Sequence, residues 1–368
     1  MISGQLRPVF KLTESCNLAC KYCCQDGKLG SGYFMDQATL EKSLEAVAQN
    51  TQGPIPLLWF GGEPTLYGVK RFAKAMELVG QYFAGRTVYH GLQTNGTLIN
   101  DEWADLLAKR GFAVTVSLDG PSWLHNQQRV YRAGAQAGQG TFDAVWQGIT
   151  NLRKVGINPR VSAVLTPRGL DHPEELVDWF ESNGVREMDF VPSTRFHEGH
   201  FEVEISGKQY KDFIMRVLDR WLAIGNPNFR VRILSEISRK LAGHTPHYCK
   251  LQGKCSHFVG FAHNGDVYPC DEFSGMKEFC LGHIHQHTLK ELMTSPKAIE
   301  FFRRWAQIPV NCRSCKWFHF CRGGCAWERQ LSGNPDQQTI MCEAMQAILE
   351  RLSAEIPGSL ERWQVEEK

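Results

Sequence analysis

Four cysteines lie within nine residues near the start of the chain, in the segment CNLACKYCC (16–24). Three kinds of site use thiols at such a spacing: disulfides, a zinc ion, or an iron–sulfur cluster with one iron open for chemistry. The chain has 13 cysteines, an odd number, so they cannot all be paired in disulfides. Structural disulfides are also rare in a reducing cytoplasm, so we interpret these thiols as metal or redox ligands.

Cys16, Cys20 and Cys23 form a CX3CX2C pattern, which offers three thiolates from one loop. A structural zinc ion needs four tetrahedral ligands, and Cys24 would have to share a tight turn with Cys23 to be the fourth. We therefore interpret Cys24 as a small buried side chain. A four-iron cluster held by only three cysteines would keep one iron available to a small molecule.

The other nine cysteines lie between Cys249 and Cys342. Eight of them form two runs, Cys249-x5-Cys255-x14-Cys270 and Cys312-x2-Cys315-x5-Cys321-x3-Cys325-x16-Cys342. The ninth, Cys280, has apolar neighbours and is interpreted as a buried filler. Because CxxC pairs are common in zinc sites, a pair of zinc ribbons and a pair of iron–sulfur clusters both remain open on spacing alone.

The bulk composition excludes several classes of protein. The chain has 368 residues, 42% of them hydrophobic, so one large domain or two domains with a real core are expected. The net charge is only +2, which argues against a nucleic-acid partner. No signal peptide and no membrane-spanning stretch is recognised, so we expect a cytoplasmic protein with no membrane partner. We also expect the protein to act as a monomer.

The long middle of the chain alternates short apolar runs with amphipathic segments, which is typical of parallel βαβ units. Strands are predicted at 7–13, 56–62, 88–94, 112–120, 160–166 and 186–193. Helices are predicted at 35–49, 69–83, 100–111, 141–156 and 172–184. Six units without the signature of a closed barrel indicate an open partial (β/α)6 TIM-like barrel, with a doubly wound sheet as the alternative.

Polar or glycine-rich residues follow at least four of these strands, where ligands of parallel sheets gather. The cysteine loop follows the first strand, and Gly61, Gly62, Glu63 and Pro64 follow the second. The ends of the third and fourth strands supply Gln93, Asn95, Ser117 and Asp119, with Arg129 shortly beyond. One such segment alone is usually a turn, but four on one rim predict a binding site.

CX3CX2C after the first strand, GGEPT (61–65) after the second, and an open α/β barrel resemble the radical S-adenosylmethionine (SAM) superfamily. The resemblance implies a [4Fe–4S] cluster on Cys16, Cys20 and Cys23, with SAM on the open iron as the source of a 5′-deoxyadenosyl radical. The family usually has an aromatic residue where this chain has Cys24, and Tyr22 is the neighbouring ring. The predicted SAM-binding residues are Tyr22, Gly61, Gly62, Glu63, Pro64, Gln93, Asn95, Ser117, Asp119 and Arg129.

The later cysteines resemble the SPASM extension of peptide-modifying radical SAM enzymes, which carries two auxiliary [4Fe–4S] clusters. The resemblance implies that the first is held by Cys249, Cys255, Cys270 and Cys325, and the second by Cys312, Cys315, Cys321 and Cys342. Three [4Fe–4S] clusters are therefore predicted. Fully ligated clusters can carry an electron away from a substrate radical, which suits an oxidation.

Asp271 directly follows Cys270, and this pair, together with LQTNGTLI and CKWFHFCRGGC, resembles the anaerobic sulfatase-maturating enzymes. The resemblance implies that Asp271 is a general base and that a cysteine or serine of a peptide or protein is oxidised to formylglycine. Asp271 as a hydrogen-bond acceptor at a turn is the alternative. An electron donor such as flavodoxin or ferredoxin is expected as a second partner.

Two further hypotheses are kept beside this one. The maturases generally place glutamine before GGEP, whereas this chain has Phe60, which favours a cross-linking enzyme of ribosomal peptides, for example one that forms a cyclophane. A non-catalytic zinc scaffold is the remote alternative. The predicted domains are a core at 1–195, a bridging segment at 196–245, the SPASM domain at 246–345 and a C-terminal helix and tail at 346–368.

Overall fold

The computed structural model describes residues 6–23, 33–194, 201–253, 255–331 and 338–356. Cys24, predicted to be a buried side chain, lies outside these residues. The chain forms two compact units. The first comprises residues 1–118, 125–160 and 255–303, and the second 119–124, 161–254 and 304–368. The predicted domain boundaries are a different division of the chain and stay a prediction.

All six predicted strands are present in the structure, most of them one or two residues shorter than expected. The strands are β1 Arg7–Lys11, β2 Ile55–Phe60, β3 Val88–Thr94, β4 Ala113–Ser117, β5 Arg160–Leu165, β6 Glu187–Pro192, β7 Arg230–Val231, β8 Phe258–Phe261, β9 Asp266–Tyr268 and β10 Gly282–His283. In the first unit the order is β10-β9-β8-β1-β2-β3-β4, and in the second it is β5-β6-β7. Neighbours are parallel except at β8–β9 and β9–β10.

The predicted helices are also present, together with several that the sequence analysis did not identify. They are α1 Gln37–Asn50, α2 Val69–Tyr82, α3 Asp101–Lys109, α4 Ser122–Gln128, α5 Phe142–Lys154, α6 Pro173–Ser182, α7 Gly207–Ile224, α8 Arg232–Leu241, α9 Leu289–Met293, α10 Pro296–Ala306, α11 Phe318–Cys321, α12 Ala326–Leu331 and α13 Cys342–Glu355. The predicted bridging segment thus contains two helices, α7 and α8.

Local capping explains where several helices begin. Asn100 caps α3 by accepting a hydrogen bond from the Trp103 backbone N–H at 3.0 Å. Ser206 and Gln209 form a capping box at the start of α7, which ends at Gly225 in the left-handed conformation. Side-chain acceptors at the first turn satisfy backbone donors that have no partner inside the helix.

The strands of the first unit bury one face against helices. Phe10 stacks on Trp59 and on Phe261, with ring centroids 5.0 and 5.2 Å apart, and Trp59 packs edge-on against Phe72 of α2. Because side chains alternate along a strand, Lys11 and Phe60 point to the opposite face. That second face and the carboxyl ends of the strands are where the candidate site is built.

His90 on β3 gives the core a dependence on pH. Burial, and secondarily the charge of Arg110, lowers the pKa of His90 from 6.5 to about 4. The unfolded chain therefore takes up this proton first, so stability should fall as pH drops from about 7 to about 5, by about 2 kcal/mol. His90→Gln keeps an acceptor for the Trp59 indole N–H, 3.3 Å away. Thermal unfolding across this pH range should show a shallower slope for the variant, and equal slopes would contradict the assignment.

Candidate active site

The three cysteines of the N-terminal loop are brought together just beyond β1. The Cys23 backbone N–H donates to the Cys20 carbonyl at 3.0 Å, and the Leu18 N–H donates to Cys16 Sγ at 3.4 Å. Burial raises the pKa of the Cys16 thiol to about 12, and the charges of Glu63, Cys20 and Cys23 contribute to the rise. Three thiols within electrostatic reach of one another are a suitable donor set for a cluster.

Two polar side chains from other parts of the first unit reach these sulfurs. Asn95 Nδ2 lies 3.7 Å from Cys16 Sγ, and an Arg129 guanidinium nitrogen lies 3.8 Å from Cys20 Sγ. The Arg129 guanidinium also lies 5.2 Å from the centroid of the Tyr22 ring. Asn95 and Arg129, both predicted to bind SAM, therefore contact the cysteine loop, which includes the third predicted residue, Tyr22. N–H groups directed at sulfur are one of the factors that tune an iron–sulfur cluster.

The glycine pair after β2 packs directly on the segment that leads into the cysteine loop. The Gly62 N–H donates to the Thr13 carbonyl at 2.8 Å, and the Glu63 N–H donates to the Ser15 carbonyl at 2.8 Å. Gly61 has a φ of +137°, which favours glycine, and a Cβ there would lie 2.3 Å from Thr13 O. These close approaches require the absence of a side chain, so the two glycines form a cradle for the segment that leads into the cysteine loop.

Gly62→Ala should therefore disrupt the cradle. A Cβ at this position would lie 2.2 Å from Ser15 O and 2.6 Å from Glu14 O, so the cysteine loop would have to shift. A displacement of about 1 Å near reacting atoms costs about a hundredfold in rate, and we expect a loss of that order in 5′-deoxyadenosine formation. Gly80→Ala on α2, where a Cβ meets open space, is the matched control. Equal rates for both variants would contradict the role of the cradle.

Glu63 is fully buried and its carboxylate is used internally. Its Oε1 accepts hydrogen bonds from the Thr65 backbone N–H and hydroxyl and from the Thr94 hydroxyl, and Oε2 accepts from the Asn95 backbone N–H at 2.6 Å. Burial raises the pKa of Glu63, and these hydrogen bonds oppose the rise. Glu63 thus ties the loop after β2 to the loop after β3, and the buried Pro64 begins the short 3-10 turn that follows.

A polar network around Asn95 was not predicted from the sequence. Asn95 Nδ2 donates to Asn17 Oδ1 at 2.9 Å, and Asn17 Nδ2 donates to Thr97 Oγ1 at 2.9 Å. The Thr97 hydroxyl closes the network by donating to Asn95 Oδ1 at 2.7 Å. Asn17 lies inside CNLAC and Thr97 inside TNGT, so both flank predicted residues, but nothing in the sequence pairs them.

Gln93, Ser117 and Asp119 are the remaining predicted SAM-binding residues. Gln93 near the end of β3 and Ser117 at the end of β4 are both partly buried in the first unit. Asp119 belongs to the second unit, where its Oδ1 accepts a hydrogen bond from the Val164 backbone N–H at 2.9 Å. That bond gives Asp119 a structural role at the start of the loop after β4.

Asp271 lies at the end of the β8–β9 hairpin. Cys255 precedes β8 and Cys270 follows β9, so the antiparallel hairpin brings both cysteines to its same end. The Cys270 thiol donates to Asp271 Oδ1 at 3.4 Å. A Cβ added to Gly260 would lie 3.3 Å from Asp271 Cα, so Asp271 covers Gly260 in the middle of β8.

The four cysteines predicted for the second auxiliary cluster interact in the second unit. Burial, together with the charges of Cys321, Cys312 and Cys315, raises the pKa of the Cys342 thiol to about 11. Lys240, a buried cation, donates to the Leu251, His319 and Phe320 carbonyls. It therefore links the turn that contains Cys249 to α11, which contains Cys321.

The predicted first auxiliary set is divided between the units, with Cys249 and Cys325 in the second and Cys255 and Cys270 in the first. Within the second unit, Lys250 follows Cys249 in sequence and its ammonium contacts the Glu328 carboxylate. The charge of Cys325 also acts on Lys250, the residue that follows Cys249 in sequence. In the described ranges no three His, Cys, Asp or Glu side chains are placed to hold a single metal ion, so the ligand sets depend on these pairwise contacts.

Two protein-family models match the chain. Residues 10–182 match the radical SAM superfamily, and residues 249–316 match SPASM, described as an iron–sulfur cluster-binding domain. The second match favours iron over the zinc ribbons that spacing had left open. The same match gives no support to the hypothesis of a non-catalytic zinc scaffold.

Similar proteins cover most of the chain. A serine-type anaerobic sulfatase-maturating enzyme of Bacteroides thetaiotaomicron is 28% identical over 347 residues, which are 87% of this chain and 83% of that protein. A cysteine-type enzyme of Clostridium perfringens is 28% identical over 324 residues, 85% of this chain and 86% of its own. A solved structure of native anSMEcpe with bound AdoMet and Cp18Cys peptide has a TM-score of 0.85 at 27% identity, covering 96% of this chain and 100% of that one.

No helix in the parts of the chain that the structure describes combines the length and the hydropathy needed to cross a bilayer.

Proposed function

Because the chain has an open-barrel radical SAM core followed by a C-terminal SPASM domain, as the sequence predicted, we propose that it oxidises a cysteine or serine side chain of a peptide or protein to formylglycine. The chain is an enzyme of the radical SAM type and uses [4Fe–4S] clusters and SAM. The observation that carries the proposal is the similarity to both serine-type and cysteine-type maturases over more than four fifths of the chain.

The N-terminal loop is proposed to hold the SAM-binding cluster through Cys16, Cys20 and Cys23. SAM bound at such a cluster supplies a 5′-deoxyadenosyl radical, which removes one hydrogen atom from the substrate. The residues around it orient the loop: Asn95 and Arg129 contact two sulfurs, and the glycine cradle positions the chain before Cys16. Gln93, Ser117 and Asp119 are the remaining proposed SAM contacts.

The other eight assigned cysteines are proposed to hold two auxiliary clusters, Cys249, Cys255, Cys270 and Cys325 in one and Cys312, Cys315, Cys321 and Cys342 in the other. Support comes from the mutual electrostatic effects within the second set and from Lys250, which follows Cys249 in sequence and is acted on by the charge of Cys325. Clusters held by these cysteines would supply an acceptor for the single electron that remains on the substrate after hydrogen removal.

Asp271 is proposed as the general base. Oxidation of serine to the aldehyde removes one hydrogen atom, one electron and one proton, and Asp271 would take the proton from the substrate hydroxyl. For cysteine the same step gives a thioaldehyde, which water converts to the aldehyde with release of sulfide. The position of Asp271 directly after Cys270 would place proton and electron acceptors side by side.

Phe60 favours a second candidate, the formation of a side-chain cross-link in a ribosomal peptide. Its ring lies on the face of the sheet opposite the helix-packed rings and is only partly buried. An aromatic surface there would suit a large target side chain better than the small side chain of cysteine or serine.

The electron donor is proposed to be flavodoxin or ferredoxin, and the protein to act as a monomer in the cytoplasm. The cytoplasm is supported by the state and the proposed use of the cysteines. The twelve described cysteines form no disulfide, and eleven of them are proposed iron ligands that need a reducing compartment.

Anaerobic turnover of matched cysteine and serine peptides tests the proposed reaction. The peptides are incubated with the cluster-loaded protein, SAM and dithionite, and the product is treated with a hydrazide, which reacts with an aldehyde. A hydrazone on the target residue is expected. A product that has lost two hydrogens but does not react with the hydrazide would favour the cross-link and contradict formylglycine formation.

A further inference from the structure

The carboxyl end of β1 carries a buried charge that the proposed reaction does not use. Lys11 is only 4% exposed, so its side chain is as buried as those of the apolar core residues. Within the described ranges its ammonium has no hydrogen-bond or ion-pair partner, and its contact is the ring of Phe60, with the centroid 5.7 Å away. An unpaired buried charge is expensive, and attraction to one aromatic ring offsets only part of that cost.

The register of the sheet places this ammonium on the same face as the proposed base. Phe10 and Phe261 stack together on the helix side, so Val9, Lys11 and Gly260 point to the other side. Gly260 pairs with Val9 and is covered by Asp271. Lys11 therefore lies one pleat nearer than Val9 to the strand ends, where the loop to Cys16 begins.

We propose that Lys11, held against Phe60, forms a carboxylate-binding subsite that receives an acidic side chain of the peptide substrate. The presence of the cation is independent of the proposed function, whereas the identification of the ligand as a peptide rests on it. A carboxylate supplies the charge and the hydrogen-bond acceptors that the ammonium lacks. The ring of Phe60 supplies neither, so it holds the ammonium in place without neutralising it.

A thermodynamic cycle tests the unpaired cation without any substrate. Phe60→Glu and Phe60→Gln are compared by thermal unfolding of the cluster-loaded full chain, in the native and the Lys11→Met backgrounds. With Lys11 present, the glutamate variant should melt higher than the glutamine variant, and the order should reverse in the Lys11→Met background, where the positive charge is gone. Lys11→Met alone should melt higher than the native protein. A glutamate variant that melts no higher beside Lys11 would overturn the subsite.

Peptide binding then tests the ligand. A cysteine-target peptide carries one aspartate, moved through several positions on either side of the target, and each version has an asparagine twin. Dissociation constants are measured by fluorescence anisotropy with SAM-loaded protein. At one position the aspartate peptide should bind about tenfold tighter than its twin, and Lys11→Met should remove the difference. Lys70→Met, an exposed lysine of α2, should leave it intact.

The outcomes separate this inference from the proposed reaction. Twins that bind alike at every position, or a preference that survives Lys11→Met, would overturn the subsite even if aldehyde is formed. A Lys11-dependent preference without aldehyde would contradict the reaction and leave the subsite standing. If Lys11→Met instead weakens SAM binding in the absence of peptide, the carboxylate is that of SAM, and the peptide assignment is wrong.

Discussion

Replacing Cys16, Cys20 and Cys23 together with alanine is expected to abolish 5′-deoxyadenosine formation and to lower the iron content from about twelve to about eight per chain. The physical reason is that these three thiols are the whole protein contribution to the proposed SAM-binding cluster. The eight thiols assigned to the auxiliary clusters are unchanged, so their iron should be retained. Iron and sulfide analysis of anaerobically prepared protein, together with chromatography of the SAM products, gives both readings on one sample.

Cys280→Ala is the matched control for this variant. Cys280 is partly buried, its thiol contacts the Gly282 carbonyl at 3.7 Å, and neither auxiliary set includes it. It should keep about twelve irons and native SAM cleavage. Cleavage retained by the triple variant, or iron lost from Cys280→Ala, would show that the three clusters are assigned to the wrong cysteines.

The core could be predicted from the sequence because its signals are local. Short apolar runs such as VTVSL mark the strands, and the predicted helix 100–111 starts at Asn100, which caps α3 in the structure. The ends of β1 and β2 are shorter than predicted because Thr13, Gly61 and Gly62 leave the ladder to build the cradle. Their backbone hydrogen bonds go to the neighbouring loop rather than to a strand.

The site could be predicted only as a set of motifs, because what joins the motifs is long-range. Asn95 and Arg129 were identified as strand-end residues that bind SAM, but their contacts with Cys16 and Cys20 span 79 and 109 residues of sequence. Lys11 lies inside the predicted strand 7–13, and nothing in the sequence marks it, because its burial and its lack of a partner among the described residues have no sequence signature. Lys250 and Glu328, which link the regions of Cys249 and Cys325, are separated by 78 residues.

Asp271→Asn is expected to separate radical formation from substrate oxidation. The amide cannot accept the substrate proton. Formylglycine should therefore form at least about a hundredfold more slowly, which is the usual contribution of a general base. The glycine cradle and the N-terminal thiols are untouched, so SAM cleavage should continue. With a substrate deuterated at the target carbon, deuterium should still appear in 5′-deoxyadenosine. Rapid-quench mass spectrometry of both products measures the two steps separately.

Asp266→Asn makes the same chemical change on the same hairpin. Asp266 Oδ2 accepts a hydrogen bond from the exposed Asn264 amide at 2.8 Å, away from any assigned ligand, so oxidation should proceed at the native rate. If Asp271→Asn also oxidised its substrate at that rate, Asp271 would be only a hydrogen-bond acceptor beside Cys270. If it lost deuterium transfer as well, Asp271 would act on substrate positioning before the proton is removed. Deuterium transfer without aldehyde is the result that fits a base acting after hydrogen abstraction. Hydrogen abstraction needs the 5′-deoxyadenosyl radical, but it precedes the loss of the electron and of the proton that the base accepts.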